Sequence, residues 1–149
     1  MAHKIEIREI RTADRTAWEA LWDGYLQFYD QYLPSEVTEF TWSRLLNPQE
    51  PLCGFVAVDE TGRLRGFVHH HIHLSTWSVQ GYCYLEDLYV EKSARGLGAG
   101  RALIEAVYQW ADERGATRVY WHTNETNAPA RRLYDRVGMF VPYVQYRRR

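Results

Sequence analysis

The 149-residue chain has no apolar run approaching the ~20 residues that a bilayer-spanning helix needs. Its opening stretch, MAHKIEIREI, lacks the apolar core of a secretory leader. From these absences we expect a cytoplasmic protein without a membrane partner. Cysteine is scarce. Cys53 and Cys83 form neither a disulfide framework nor a zinc-binding spacing, and are expected to be reduced core residues. Net charge is close to absent at −1, which argues against a nucleic-acid partner. There is no internal repeat, linker or low-complexity stretch, so residues 1–149 are expected to form one domain.

What is present is hydrophobic and aromatic: 46% of residues are hydrophobic and 15% aromatic, enough for a folded core. Charge is small in sum but uneven along the chain. Met1 to Glu91 holds 7 Lys and Arg against 14 Asp and Glu, whereas Lys92 to Arg149 holds 11 against 5. The Arg147-Arg148-Arg149 tail accounts for half of the second excess. The remainder would suit a C-terminal half facing an anion and an N-terminal half facing a cation.

Hydrophobic periodicity predicts the elements. Lys4–Ile10 alternates as a strand. A helix starts near Thr12-Ala13-Asp14 and carries Trp18, Leu21, Trp22, Tyr25, Leu26, Tyr29 and Leu33 to a stop at Pro34-Ser35. Its aromatic stripe either packs the core or lines an acceptor pocket, with Tyr25 and Tyr29 as the pocket candidates. A second helix spans Glu36–Leu46. Strands follow at Leu52–Val58 and Leu64–Leu74, then a turn at Trp77–Gly81 and a strand from Tyr84 to Val90. A helix after the glycine-dense stretch ends at Gly115, with a short strand at Arg118–His122 behind it. Asn127–Val137 is a helix capped by Asn127, and Met139–Arg147 a terminal strand. This order predicts a mixed α/β sheet with one βαβ unit near its middle.

The strand ending at Val90 runs into Arg95-Gly96-Leu97-Gly98-Ala99-Gly100-Arg101 and then into a helix. Such a turn is an anion site, because glycines let backbone N–H groups approach and the helix start adds unpaired donors and partial positive charge. Two familiar phosphate loops do not fit. Arg101 stands where a dinucleotide fingerprint needs its last glycine, and the Gly-Lys-Ser/Thr of a P-loop is missing.

The pattern present is Arg95-x-x-Gly98-x-Gly100 followed by Asn127-x-x-Ala130-x-x-x-Tyr134, with Leu85-Glu86-Asp87-Leu88-Tyr89-Val90 before it. By these motifs the chain resembles the GCN5-related N-acetyltransferases, the GNAT superfamily. It is similar to the branch of diamine and fungal histone and D-amino-acid acetyltransferases, and Val119-Tyr120-Trp121, Leu133-Tyr134 and Val137-Gly138 look like the fungal members. The resemblance covers about Tyr84 to Arg147, while the first eighty residues agree only in the order of elements. It implies a mostly antiparallel mixed sheet with a splayed strand pair and helices on both faces. The implied activity is acetyl transfer from acetyl-CoA to a primary amine by direct attack in a ternary complex, without a metal.

By that resemblance Leu88, Tyr89 and Val90 bond the pantetheine arm through their backbone. Arg95, Gly96, Leu97, Gly98, Ala99, Gly100 and Arg101 wrap the pyrophosphate, and Asn127 and Ala130 adjoin the arm. Tyr134 is the implied proton donor to the thiolate. A homodimer is likewise implied, and the Trp and Tyr content supports it.

Proton chemistry ranks the acceptors. A lysine-like amine with a pKa of about 10.4 needs about 4.6 kcal/mol of deprotonation at pH 7, and a peptide α-amine near 7.7 only about 1 kcal/mol. Glu86, on the strand beside the thioester, is the candidate base, directly or through water. Strand alternation puts Asp87 on the opposite face unless a bulge intervenes. His122 and Glu86 are assigned to the substrate side. His69, His71 and His73 share a strand face but stand successively ~6.6 Å apart along the strand, too widely for one tetrahedral zinc. The acidic N-terminal half suggests a cationic small-molecule or peptide amine: a polyamine, an amino-acid-like amine or a lysine. The rival readings are a non-catalytic acyl-CoA sensor on the same fold and an acyltransferase for longer chains.

Overall fold

Runs of alternating apolar residues become strands, and residues of 3.6 periodicity become the helices that cover them. A computed structural model of the chain describes residues 4–149. Its strands are β1 (Glu6–Glu9), β2 (Cys53–Val58), β3 (Leu64–Ser75), β4 (Ser78–Val90) and β5 (Val119–Tyr120); its helices are α1 (Arg15–Phe28), α2 (Ser35–Leu46), α3 (Ala99–Glu113) and α4 (Ala128–Val137). The sheet runs in sequence order, β1-β2-β3-β4-β5, antiparallel up to β4. β5 lies parallel to β4, and α3 supplies the crossover that a parallel pair requires.

Helices pack on both faces. On one, Leu103, Ile104, Val107 and Ala111 of α3 cover Ala57, Val68, Cys83 and Leu85. On the other, Trp18, Leu21 and Trp22 of α1 and Trp42 of α2 cover Val56, Val58, Leu64 and Phe67. Burying each of these large side chains contributes roughly 1.5–3 kcal/mol. Cys83 is buried and Cys53 half-buried, and both are free thiols.

Four expectations need correction. The first helix stops at Phe28, not at Leu33, because Asp30 turns left-handed (φ 51) and Gln31 N–H closes back on the Leu26 carbonyl at 2.9 Å. The Trp77–Gly81 turn is shorter than expected, since Ser78 already pairs with Ser75 and β4 starts there. Asn127 occupies the N-cap position of α4, yet its side chain makes no cap bond; its amide instead donates to Thr123 Oγ1 at 3.3 Å.

The fourth correction is the terminal strand. Met139–Arg147 has no strand structure, and Met139, Tyr143 and Tyr146 are 84%, 85% and 92% exposed. A strand needs a partner for its backbone hydrogen bonds, and among the described residues none pairs with this segment. β5 is therefore the sheet edge, and the βαβ unit sits at the edge and not in the middle.

β4 and β5 pair only at Cys83↔Val119 and Tyr84↔Tyr120. Beyond these residues the strands part, and among the described residues Leu85–Val90 keeps β3 as its only strand neighbour. Among the described residues, no helix is long and apolar enough to cross a membrane.

Candidate active site

The glycine turn is built for close approach. Gly96 and Gly98 have φ of +88 and +83, a region that side-chain-bearing residues enter at a cost of about 1 kcal/mol or more. Nothing lies within 4 Å of where a Cβ on either would sit, so the space above the turn is open. Gly98 is also the N-cap of α3. Ala102 N–H makes the first helical bond, to the Gly98 carbonyl at 3.0 Å, and the amides ahead of it open the helix without an intrahelical acceptor. These donors and the helix dipole suit a pyrophosphate. Arg95 folds back, Nε donating to the Val90 carbonyl at 3.0 Å, while exposed Arg101 pairs with Glu105 at 2.8 Å. Ala99 is buried under the turn, and Leu97 lies between the two left-handed glycines.

The turn is fed by the part of β4 that β5 leaves. Leu88, Tyr89 and Val90 pair with Val68, Phe67 and Gly66 on one side only. Their other edge opens into the gap between the strands, which begins past Tyr84.

A bulge reorganises the same strand. His70 pairs with Leu85, but the next residue back, His69, pairs with Asp87, so Glu86 is the extra residue. Alternation restarts across it. Tyr82, Tyr84 and Glu86 follow one phase and Asp87 and Tyr89 the other, and both sets face α1 and α2. The bulge exception to strict alternation thus applies, and the two carboxylates share one wall. Glu86 is half exposed, with His71 Nε2 at 3.8 Å; Asp87 is held by His69 Nδ1 at 2.9 Å.

That wall belongs to an open cavity of about 520 Å³, lined also by Trp22, Tyr25 and Leu26 of α1, Val37 and Arg44 of α2, and Glu50 to Leu52. The aromatic stripe of α1 is therefore divided. Trp18 is core, Trp22 and Tyr25 line the cavity, and Tyr32 is 87% exposed. Burial, with Asp87 adding to it, pushes the Tyr25 phenol far above its usual range; Tyr29 is raised by the same two causes. Both tyrosines remain neutral hydrogen-bonding groups.

Tyr134 of α4 packs edge-on against Trp121, ring centroids 5.5 Å apart, and its hydroxyl has no hydrogen-bond partner among the described residues. Burial, with a smaller push from Tyr29, raises its phenol to about 12. Ala130 sits a turn earlier on the same helix, half-buried. His122 lies outside the cavity lining, exposed, with Nδ1 3.0 Å from the Tyr84 hydroxyl. His69, His71 and His73 do share a face, but His69 is engaged by Asp87 and Trp18 and His73 by Tyr120. Among the described residues no three His, Cys, Asp or Glu side chains gather to hold a metal.

Sequence reasoning admitted Asp87 to the site only if a bulge intervened, and did not assign His69, Trp18 or Arg44 to it. No local signal marks the bulge that recruits Asp87, and the others are brought in by packing between elements distant in sequence.

Comparison with known proteins places this geometry. Residues 15–139 match the acetyltransferase (GNAT) family. The chain belongs to the GNAT family. The D-amino-acid N-acetyltransferase HPA3 of Saccharomyces cerevisiae is 41% identical over 146 residues, covering 97% of this chain and 91% of that protein. An aminoglycoside N(6')-acetyltransferase type 1 of Klebsiella aerogenes is 30% identical over 95% of this chain and 92% of its own. Among solved structures, the aminoglycoside N-acetyltransferase AAC(6')-Iy in complex with CoA superposes with a TM-score of 0.82 at 20% identity, covering 100% of this chain and 97% of that one. A ribosomal-protein-alanine N-acetyltransferase from Brucella melitensis biovar Abortus 2308 gives 0.80 at 22%, covering 99% of each. These structural likenesses establish a GNAT fold, and the sequence matches establish a GNAT-type N-acetyltransferase.

Proposed function

We propose that this GNAT enzyme transfers the acetyl group of acetyl-CoA to the primary amine of a small cationic acceptor, by direct attack with both substrates bound. The observation that carries this reading is the β4 bulge, which puts Glu86 and Asp87 together on the cavity wall beside the strand gap. A protein residue set for acetyl-CoA fits: open space over Gly96 and Gly98, free amides at the start of α3, and an unpaired strand edge at Leu88–Val90. Asp87 and Glu86 receive the ammonium. Glu86, the more solvent-accessible of the two, takes the proton directly or through water. Tyr134 donates a hydrogen bond to the departing sulfur.

Of the acceptor classes considered, an amino-acid-like amine is favoured. Arg44 lines the cavity and has no ion-pair partner among the described residues, its guanidinium resting 5.1 Å from the Phe40 ring. An amine at Asp87 with a carboxylate at Arg44 uses both charges, and a polyamine would leave Arg44 opposed. The 41% identity to a D-amino-acid N-acetyltransferase supports the same choice. Thiol release from acetyl-CoA, measured with free amino acids of both hands, polyamines and lysine peptides, tests it. Preference for a polyamine would displace the amino-acid reading, and absence of turnover with every amine would displace the whole.

We further propose a homodimer in which the Met139–Tyr146 segment of each copy lies against the other. The segment exposes Phe140, Val141, Tyr143 and Val144, and β5 presents a free edge. Exposed apolar chain gains backbone partners when it meets the free sheet edge of a second copy. Mass measurement in solution of the full chain against one ending at Gly138 tests it; equal masses would remove the segment from assembly.

A further inference from the structure

We infer that His69 is a positioning residue for the acceptor amine, locked by Trp18 into the tautomer that aims the Asp87 carboxylate into the cavity. This rests on the reading that the amine is received at Glu86 and Asp87.

The lock follows from donor chemistry. An indole nitrogen can only donate. Trp18 Nε1 lies 3.0 Å from His69 Nε2, so Nε2 carries the lone pair and the ring's single proton sits on Nδ1. Nδ1 is 2.9 Å from Asp87 Oδ2 and donates to it. One hydrogen-bonded line therefore runs from α1 through β3 to β4, ending at a carboxylate on the cavity wall. Asp87 is opposite His69 because of the Glu86 bulge, so bulge and lock act on one side chain.

Packing fixes the ring. His69 and Trp18 are both fully buried, and the imidazole stacks on Phe67, centroids 4.6 Å apart. Trp22 lies 5.6 Å away on another side, and a Cβ on Gly54 would meet His69 Cδ2 at 3.3 Å. The titratable groups around it are Asp87 and Glu86 on β4, His70 and His71 on β3 and the Tyr25 phenol on α1; α2 brings Trp42 and Thr38. A second ring proton would have to enter at Nε2, expelling the indole N–H from a dry site. With Nε2 taken by the indole N–H, the His69 ring serves Asp87 as a donor through Nδ1.

The test uses the full-length protein and three variants. His69→Asn keeps an N–H where Nδ1 stood, His69→Leu removes it, and Trp18→Phe removes only the lock. We expect His69→Leu to raise the amine KM about tenfold or more while acetyl-CoA affinity stays within about twofold, and His69→Asn to recover most of that loss. In long-range proton–nitrogen spectra, the signal absent from His69→Asn should show Nδ1–H with bare Nε2 at about pH 7. Trp18→Phe should move that signal toward the other tautomer, with amine KM rising. An Nε2–H tautomer in the wild type, or loss of kcat with unmoved amine KM in both His69 variants, would overturn the inference. If His69→Leu does not fold, an unchanged His69 signal in Trp18→Phe does so. A wild-type protein that acetylates no amine overturns the acceptor reading and this inference with it; unaltered kinetics in both His69 variants overturn the inference alone.

Discussion

The imidazole of His70 stands edge-on to the indole of Trp110, ring centroids 4.5 Å apart at 77°, and neither of its nitrogens has a hydrogen-bond partner among the described residues. It is fully buried on the sheet face opposite His69, with Phe55 on its other side. Burial first, then the charges of His69, Arg114 and His71, bring its pKa down to about 3.

A stability prediction follows from the sign of that shift. In the unfolded chain the ring titrates near 6.5, so below about pH 6.5 the unfolded state binds a proton that the folded state refuses. Its contribution is nil above that pH and becomes a growing penalty as pH falls toward about 3. His70→Phe should melt above the wild type at about pH 5, with the gap narrowing by about pH 8. Thermal unfolding at the two pH values checks it, and a gap that does not depend on pH would mean that His70 is paired in solution.

Tyr134→Phe should reduce kcat by about a hundredfold or more and leave acetyl-CoA affinity unchanged. With the phenol at about 12 and a thiol near 8.5, full proton transfer is uphill by about 5 kcal/mol. In the proposed reaction Tyr134 therefore acts as a hydrogen-bond donor, and it should contribute no alkaline limb to the kcat profile below about pH 11. Steady-state kinetics with calorimetric binding separates the two parameters.

Gly98→Ala should raise the KM for acetyl-CoA more than that for the amine. The new side chain meets open space, so its burden is the left-handed backbone, about 1–2 kcal/mol, plus an obstruction where the pyrophosphate would lie. Parallel titration of both substrates reads the difference.

Arg44→Leu should raise the KM for an amino acid about tenfold and leave that for the matching amine without a carboxylate, such as tyramine against tyrosine, within about twofold. Equal effects on both acceptors would remove Arg44 from carboxylate recognition.

The glycine turn was legible because its chemistry is local. Gly96 and Gly98 in left-handed backbone, followed at once by α3, need no partner to form an anion-binding helix start. Helix faces were legible for the same reason, as Leu103 and Val107 bury where periodicity places them. Boundaries set by single residues were less so: Asp30 ends α1 early despite the continuing stripe through Tyr29 and Leu33. The terminal strand expected at Met139–Arg147 failed because alternation marks a chain able to pair, and pairing requires a neighbour.

By itself, then, the sequence determined the cofactor-type turn, the order of elements and the family, since each is written in residues near one another. Only tertiary structure decided the acceptor side. One extruded residue, Glu86, reverses the phase of β4, and Trp18 reaches across to His69, which faces Asp87. Period-2 alternation carries no record of a bulge, because the register shift exists only in the pairing of β3 with β4.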